Sequence, residues 1–171
     1  MAKPFAEHAG SGLHIHVSFV DDRGRNMFAD ADPAGTLLLR HAIGGMRASM
    51  ADGMAVFAPN ANSYRRFRRM SYAPVAPTCG VNNRSVGLRI PAGPPASRHI
   101  EHRPCGADAN PYLAIATVLA GAHFGIVHKC DPGAAVTGNG YENGAVETLP
   151  ADWHTALDLA ARSSFLRDYL G

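Results

Sequence analysis

The sequence predicts an α+β fold: a largely antiparallel, curved sheet with polar groups on one face and helices packed on the other. Three observations carry this. Short runs alternate apolar and polar residues at 13–20 and on both sides of a Gly/Pro-rich break within 82–103. Apolar residues recur at helical spacing near 34–51, 111–128 and 152–161. Loops rich in the chain's 18 glycines and 12 prolines separate these segments. A length of 171 residues suits one domain with a real core.

Composition excludes several classes. A formal charge of +2 argues against a dedicated nucleic-acid binder. Cys79, Cys105 and Cys130 are odd in number and form no C-x-x-C, so neither a disulfide framework nor a zinc knuckle is expected. A reducing, cytoplasmic setting fits. Met1 to Gly10 lacks the apolar core of a secretory leader. The most apolar run, Tyr112 to Val127, contains Thr117, two glycines and His123. It is shorter than a membrane span and reads as a buried helix, so no membrane partner is expected.

Taken in order, Met1 to Gly12 reads as a loop feeding a strand, with Lys3-Pro4 extended. Along Leu13 to Val20, Leu13, Ile15, Val17 and Phe19 form one face, and His14, His16 and Ser18 the other. Asp22 to Arg25 reads as a hairpin turn and 26–29 as a short return strand. An H-x-H pair on a strand face can ligate metal or be a plain polar face. With a carboxylate and no cysteine nearby, Mg²⁺ or Mn²⁺ close to phosphate suits it better than structural zinc.

Pro33 marks the first turn of a helix whose stripe of Leu37, Leu38, Ala42, Gly45, Met46 and Met50 runs to about Ala51. Gly44-Gly45 predicts a close approach by another backbone. The cluster Tyr64 to Arg69 alternates aromatics with arginines. It can stack bases, lie solvated, or bind an anion, since arginine forks match carboxylate and phosphate. Ser71 to Gly80 reads as a loop.

In the stretch 82–103, Val86, Leu88 and Ile90 share a face opposite Arg89, while His99, Glu101 and Arg103 point together. A carboxylate among cations there is either a solvated salt-bridged face or a ligand or metal site. Pro104 to Ala109 is a loop. Asn110 caps a helix with Pro111 at its first position, expected to be nearly all buried to His128. Asp131 to Pro150 is loop-like, with Gly133, Gly138, Gly140 and Gly144; Gly138-Asn139-Gly140 is too little for a phosphate loop. Asp152 to Ala161 reads as an amphipathic helix carrying Trp153, Leu157 and Ala160, and Ser163 or Ser164 caps a last short helix.

Five ordered segments together resemble the glutamine synthetase family: Gly10-Ser11-Gly12-Leu13-His14-Ile15-His16, Asn62-Ser63-Tyr64-Arg65-Arg66, Asn83 to Pro91, Ile100-Glu101-His102-Arg103 and Ala109 to Ala114. The run Glu101 to Tyr112 resembles the branch that makes γ-glutamylpolyamines and other γ-glutamylamides. The resemblance implies an ATP-dependent ligase. ATP phosphorylates the γ-carboxylate of glutamate, and an amine then displaces phosphate, with Mg²⁺ or Mn²⁺ bridging the phosphates. It implies His14 and Glu101 as metal ligands, and His16 with Ser18 beside the nucleotide phosphates. It places Arg84 and Arg89 on the transferring phosphate, Arg66 and Arg103 on glutamate, and Gly10 as a backbone contact to glutamate. Arg66 and Arg84 are then the residues nearest the chemistry.

The sequence also departs from that pattern. Tyr72 stands where the ammonia-using enzymes carry Glu, Ala9 where Asn is usual, and His99 where Arg is expected beside Arg98. Loss of the carboxylate implies a larger primary amine: a polyamine, alkylamine or amino alcohol. The resemblance makes 1–171 a partial catalytic domain, lacking the family's β-grasp domain and the glutamates that complete its metal sites. It implies a homo-oligomer of stacked rings for the complete protein, and inactivity for this chain alone. The alternatives are a non-catalytic remnant that assembles with complete subunits, and an H-x-H metallohydrolase, for which too few ligands are visible.

Overall fold

The computed structural model describes residues 1–142 and 147–171; Gly144 of the predicted 131–150 loop lies outside the described residues. Four three-residue strands form one sheet in the order β1-β4-β3-β2, with β1 at Ile15–Val17, β2 at Cys79–Val81, β3 at Leu88–Ile90 and β4 at Ile100–His102. β4 lies antiparallel to both β1 and β3. The strand period of two then sorts the side chains. Ile15, Val17, Leu88, Ile90, Ile100 and His102 are buried on one face. His16 opposite Glu101, and Arg89 opposite Glu101, share the other. The alternation over 13–20 therefore gave the right faces, although the ladder covers only its centre; Val20 and Asn26 form an isolated bridge at the hairpin turn.

β2 departs from expectation. Cys79–Val81 lies in a segment read as loop, and it pairs parallel to β3. Pro74 and Pro77 argue locally against a strand. The six residues 82–87 double back within one turn, with Asn82 in the left-handed region at φ 48°. The return is fixed by hydrogen bonds from Asn82 N to Ile90 O (2.8 Å) and from Leu88 N to Thr78 O (2.9 Å).

The helices are α1 at Leu37–Ala48, α2 at Met54–Phe57, α3 at Pro111–His128, α4 at Trp153–Arg162 and α5 at Ser164–Leu170. α1 starts later than predicted: Thr36 is its N-cap, its side chain accepting from Leu39 N, so Pro33 lies in the preceding turn. The short α2 has too few residues to show a period, and its Met54 and Phe57 join the core. Asn110 caps α3 by accepting from Tyr112 N and Leu113 N, with Pro111 at the first turn, as expected. Ser163 caps α5 and also donates to Asp52 Oδ2 at 2.6 Å, tying the C-terminal helices to the turn after α1.

α1 and α3 pack backbone against backbone. A Cβ on Gly45 would collide with the main chain of Gly121 and Gly125, and one on Gly125 with His41 O. The predicted close approach at Gly44-Gly45 is therefore real. α3 is not nearly all buried, however. Its glycine side faces α1, while Tyr112, Leu113, Ile115 and Leu119 are exposed. At 18 residues and a mean hydropathy of 1.3 it is long and apolar enough to cross a membrane, yet it lies along α1 as a core helix does. On α4 Ala156 is buried and Trp153 packs against the core as expected, whereas Leu157 is exposed.

Candidate functional site

The polar face of the sheet converges on Glu101, which is 3% exposed. Arg103 Nη1 donates to Oε1 at 2.6 Å and Arg89 Nη1 to Oε2 at 2.6 Å, while His14 Nδ1 lies 2.9 Å from Oε1. Burial raises the Glu101 pKa, but the Arg89 hydrogen bond and the charges of Arg103, Arg89 and His14 outweigh it and hold the carboxyl below its ordinary value. The His14 pKa is lowered, first by burial and then by Arg103; Glu101 only partly opposes this. Of the alternatives at 82–103, the salt bridges of the first are present, but the carboxylate is buried rather than solvated.

Arg66 takes shape differently. The 3₁₀ turn Ser63–Arg66 places its side chain, 6% exposed, beneath the Gly10–Gly12 segment. A Cβ on Gly10 would lie 2.8 Å from Arg66 Cγ, and one on Gly12 2.9 Å from its Nη2, so a side chain at either position would displace Arg66. Among the described residues, one of the five guanidinium N–H groups of Arg66 is committed, from Nη1 to Pro104 O at 3.1 Å. Arg103 is more heavily used: Nη2 donates to Tyr72 O and Arg84 O besides the Glu101 bond. Burial lowers the Arg66 pKa, partly offset by Cys105 and Asp108. The Cys105 thiol itself is pushed up to about 11 by burial and stays protonated.

Gly10, His14, Arg66 and Arg103 line one cavity of about 520 Å³. Lys3, Arg65 and Arg68 line it too, so five cations face one carboxylate, Glu7. Such a cavity attracts an anion, and its arginine forks suit carboxylates. His16 and Ser18 border a separate depression of about 230 Å³ with His99, whose ring centroid is 5.1 Å from that of His16. Arg84 is exposed and lines a third groove of about 250 Å³; it meets the main site through its backbone carbonyl. Arg98 does not stand in for an arginine at 99: it is buried on the opposite strand parity and donates to Asp30 O.

His14 and Glu101 have the right donor types for a divalent cation, an imidazole and a carboxylate. Their number does not suffice. No group of three or more His, Cys, Asp or Glu able to hold a metal occurs among the described residues. Both Glu101 oxygens are moreover already paired with arginines.

The sequence does not reveal the loop-to-loop bonds that hold this site together. Asp108 Oδ2 accepts from Asn60 Nδ2 (2.9 Å), Ser63 Oγ (2.8 Å) and Ala2 N (3.2 Å), tying the Arg66 turn to the N-terminal segment. Lys3 and Asn62 exchange two further bonds, and the Lys3 ammonium donates to His8 O. No periodic pattern signals such loop-to-loop bonds.

Comparison with known proteins bears on the fold and the family. The γ-glutamylputrescine synthetase PuuA of Escherichia coli (strain K12) is 43% identical over 171 residues, covering all of this chain and 36% of PuuA. A glutamate–isopropylamine ligase of Pseudomonas sp is 37% identical over 144 residues, covering 83% of this chain and 31% of that protein. A solved structure of apo GmaS without ligand superimposes with a TM-score of 0.88 at 32% identity, over the whole chain and 40% of GmaS. The chain thus spans about a third of the length of the curated relatives it matches. The family model described as the glutamine synthetase catalytic domain matches residues 1–171, and the chain belongs to that family.

Proposed function

We propose that this chain is the part of an ATP-dependent ligase that holds glutamate and the transferring phosphate, in an enzyme joining an amine to the γ-carboxylate of glutamate. The observation that carries the reading is the 520 Å³ cavity in which the Arg66 fork, largely uncommitted, stands under the Gly10–Gly12 segment beside Arg103. Arg66 holds a glutamate carboxylate; Arg103, committed to Glu101 and two carbonyls, chiefly keeps the floor in register. In the reaction a γ-carboxylate oxygen attacks the terminal phosphorus of ATP, releasing ADP. The amine nitrogen then attacks the acyl carbon, phosphate leaves, and the nitrogen gives up a proton. Arg84 and Arg89 are the cations for the phosphoryl charge, and His16 and Ser18 border the nucleotide side. Stabilising charge as it develops is where fixed guanidinium groups contribute most.

ATP and a divalent metal, Mg²⁺ or Mn²⁺, belong to this reading as ligands of the complete enzyme. When bound, the metal neutralises phosphate charge. Assembly into a homo-oligomer belongs to the reading too, with the carboxylates that complete the metal site supplied from outside the described residues. The acceptor is an amine larger than ammonia: Tyr72 lines the cavity where a carboxylate would be needed to draw in ammonium, and its side chain supplies no carboxylate. A second reading, a non-catalytic module joined to complete subunits, is favoured by the two-donor metal set alone. Co-purification with a complete family member, without any gain in its activity, would favour that module.

Calorimetric titration of the chain with L-glutamate tests the main reading. Saturable binding is expected, weakened roughly tenfold or more by Arg66→Lys, because lysine cannot present a bidentate fork. Equal affinity in the two proteins removes Arg66 from the glutamate site.

A further inference from the structure

The two histidines on β1 do not act as one unit. His14 Nδ1 lies 2.9 Å from Glu101 Oε1, whereas the His16 ring lies beside His99, centroid to centroid 5.1 Å. The ladder sets this up. His16 lies opposite Glu101, and His99 precedes Glu101 by two residues, so the two imidazoles are diagonal neighbours on the polar face. Both border the 230 Å³ depression, which the 3₁₀ turn Pro95–Ser97 helps to close.

Three features of the pair are those of a metal chelate. Two imidazoles that share a tetrahedral Zn²⁺ through Zn–N bonds of about 2 Å have ring centres about 5 Å apart. The observed 5.1 Å fits that spacing. The rings are tilted by 46°, so their planes intersect and in-plane lone pairs can converge on one point, which parallel stacking forbids. His99 Nδ1 lies 2.6 Å from Ser97 O. A carbonyl only accepts, so the proton sits on Nδ1 and Nε2 keeps its lone pair. A backbone carbonyl on the far nitrogen is what orients ligating histidines in metal sites generally.

The surroundings agree. Among the described residues no lysine or arginine lines this depression, in contrast to the basic cavity, so a cation meets no guanidinium or ammonium on its walls. Asn26 is spent on structure: Nδ2 donates to Ala96 O and Arg98 O, and Oδ1 accepts from Phe28 N. Those bonds brace the loop that carries His99 and leave the two imidazoles as the nitrogen donors, with the Ser18 hydroxyl on the rim.

We infer that His16 and His99 form a site for a late first-row divalent cation such as Zn²⁺, bound through one nitrogen of each ring and completed by water. Nitrogen donors select such ions over Mg²⁺ and Mn²⁺, which favour oxygen. The site uses neither His14 nor Glu101 and does not depend on the ligase reading. An arginine at 99, as the family pattern would have it, offers no lone pair, so the site follows from this chain's departure from that pattern.

Zinc titration of the full chain at neutral pH, followed by proton–nitrogen NMR of the imidazoles, tests this. His99 Nε2 and one ring nitrogen of His16 are expected to shift together and to saturate at one equivalent with micromolar affinity, while millimolar Mg²⁺ moves neither. His99→Arg and His16→Gln should each weaken binding roughly tenfold or more and abolish the shift of the imidazole that remains. Neither side chain is buried, and an otherwise unchanged spectrum shows that each variant is folded. The inference is overturned if the two imidazoles respond at different zinc concentrations, if zinc shifts only other groups, if Mg²⁺ serves as well, or if either variant binds as wild type does.

Discussion

Glu101 shows what a single residue contributes here. Its carboxylate is shared by Arg89, Arg103 and His14, and nearly all its surface is removed from water. Removing one member of such a cluster leaves buried guanidinium groups uncompensated, which typically costs about 3 kcal/mol or more. Glu101→Gln is expected to lower stability by that order in urea denaturation. The pH dependence follows from the depressed carboxyl. Its folded pKa lies below the ordinary 4.5, so its stabilisation is complete above 4.5 and is lost as pH falls through the folded value. The acid limb of the stability profile should therefore flatten in Glu101→Gln. An unchanged limb would show that Glu101 does not drive acid unfolding. The parity that puts Glu101, Arg103 and His99 on one face was readable from the strand period alone. The ion pairing was not, because a pattern of two gives a direction and no distance.

The pairing of α1 with α3 belongs to the scale of elements. The contact is made of glycines, so no side chain can yield when a methyl is added. Gly45→Ala and Gly125→Ala each force the two backbones apart, against a helix-propensity gain of about 1 kcal/mol. Overpacking of this kind usually costs about 1–3 kcal/mol, more where backbone must move. Both variants should lower the urea midpoint, whereas Gly138→Ala, in open space, bears only a penalty for its left-handed φ of 78°. Equal midpoints for Gly45→Ala and wild type would mean the helices are further apart than this. The long helices were legible, since caps and apolar spacing at Asn110-Pro111 and Ser163 are local signals. Elements fixed by distant partners were not. β2 is a strand because β3 returns beside it, and α2 is four residues long. Apolar content alone predicts burial all round α3, but its glycines decide which side packs, and Tyr112, Leu113, Ile115 and Leu119 stay exposed.

Charge sets the behaviour of the whole molecule. On the polar face Arg89 and Arg103 both pair with Glu101, an excess of one positive charge within this cluster, and Arg66 lies in the adjoining cavity, where a metal would have to be held. A divalent cation meets repulsion there, and the two available donors, His14 and Glu101, cannot replace its hydration shell. Mg²⁺ in such sites is held by one or two carboxylates together with substrate phosphates, which suggests that nucleotide must bring most of the negative charge. The chain by itself is therefore expected to show no saturable Mn²⁺ binding below about millimolar, and to take up the ion measurably only with ATP present. Without a fixed metal the terminal phosphate is neither aligned nor neutralised, so glutamate- and ATP-dependent phosphate release by the chain alone should be undetectable, even where glutamate binds. Electron paramagnetic titration of Mn²⁺, run beside a phosphate-release assay, reads both. Micromolar Mn²⁺ affinity, or phosphate release that depends on glutamate, would mean that two donors amid three arginines suffice, and the case for carboxylates supplied from elsewhere in the enzyme would collapse.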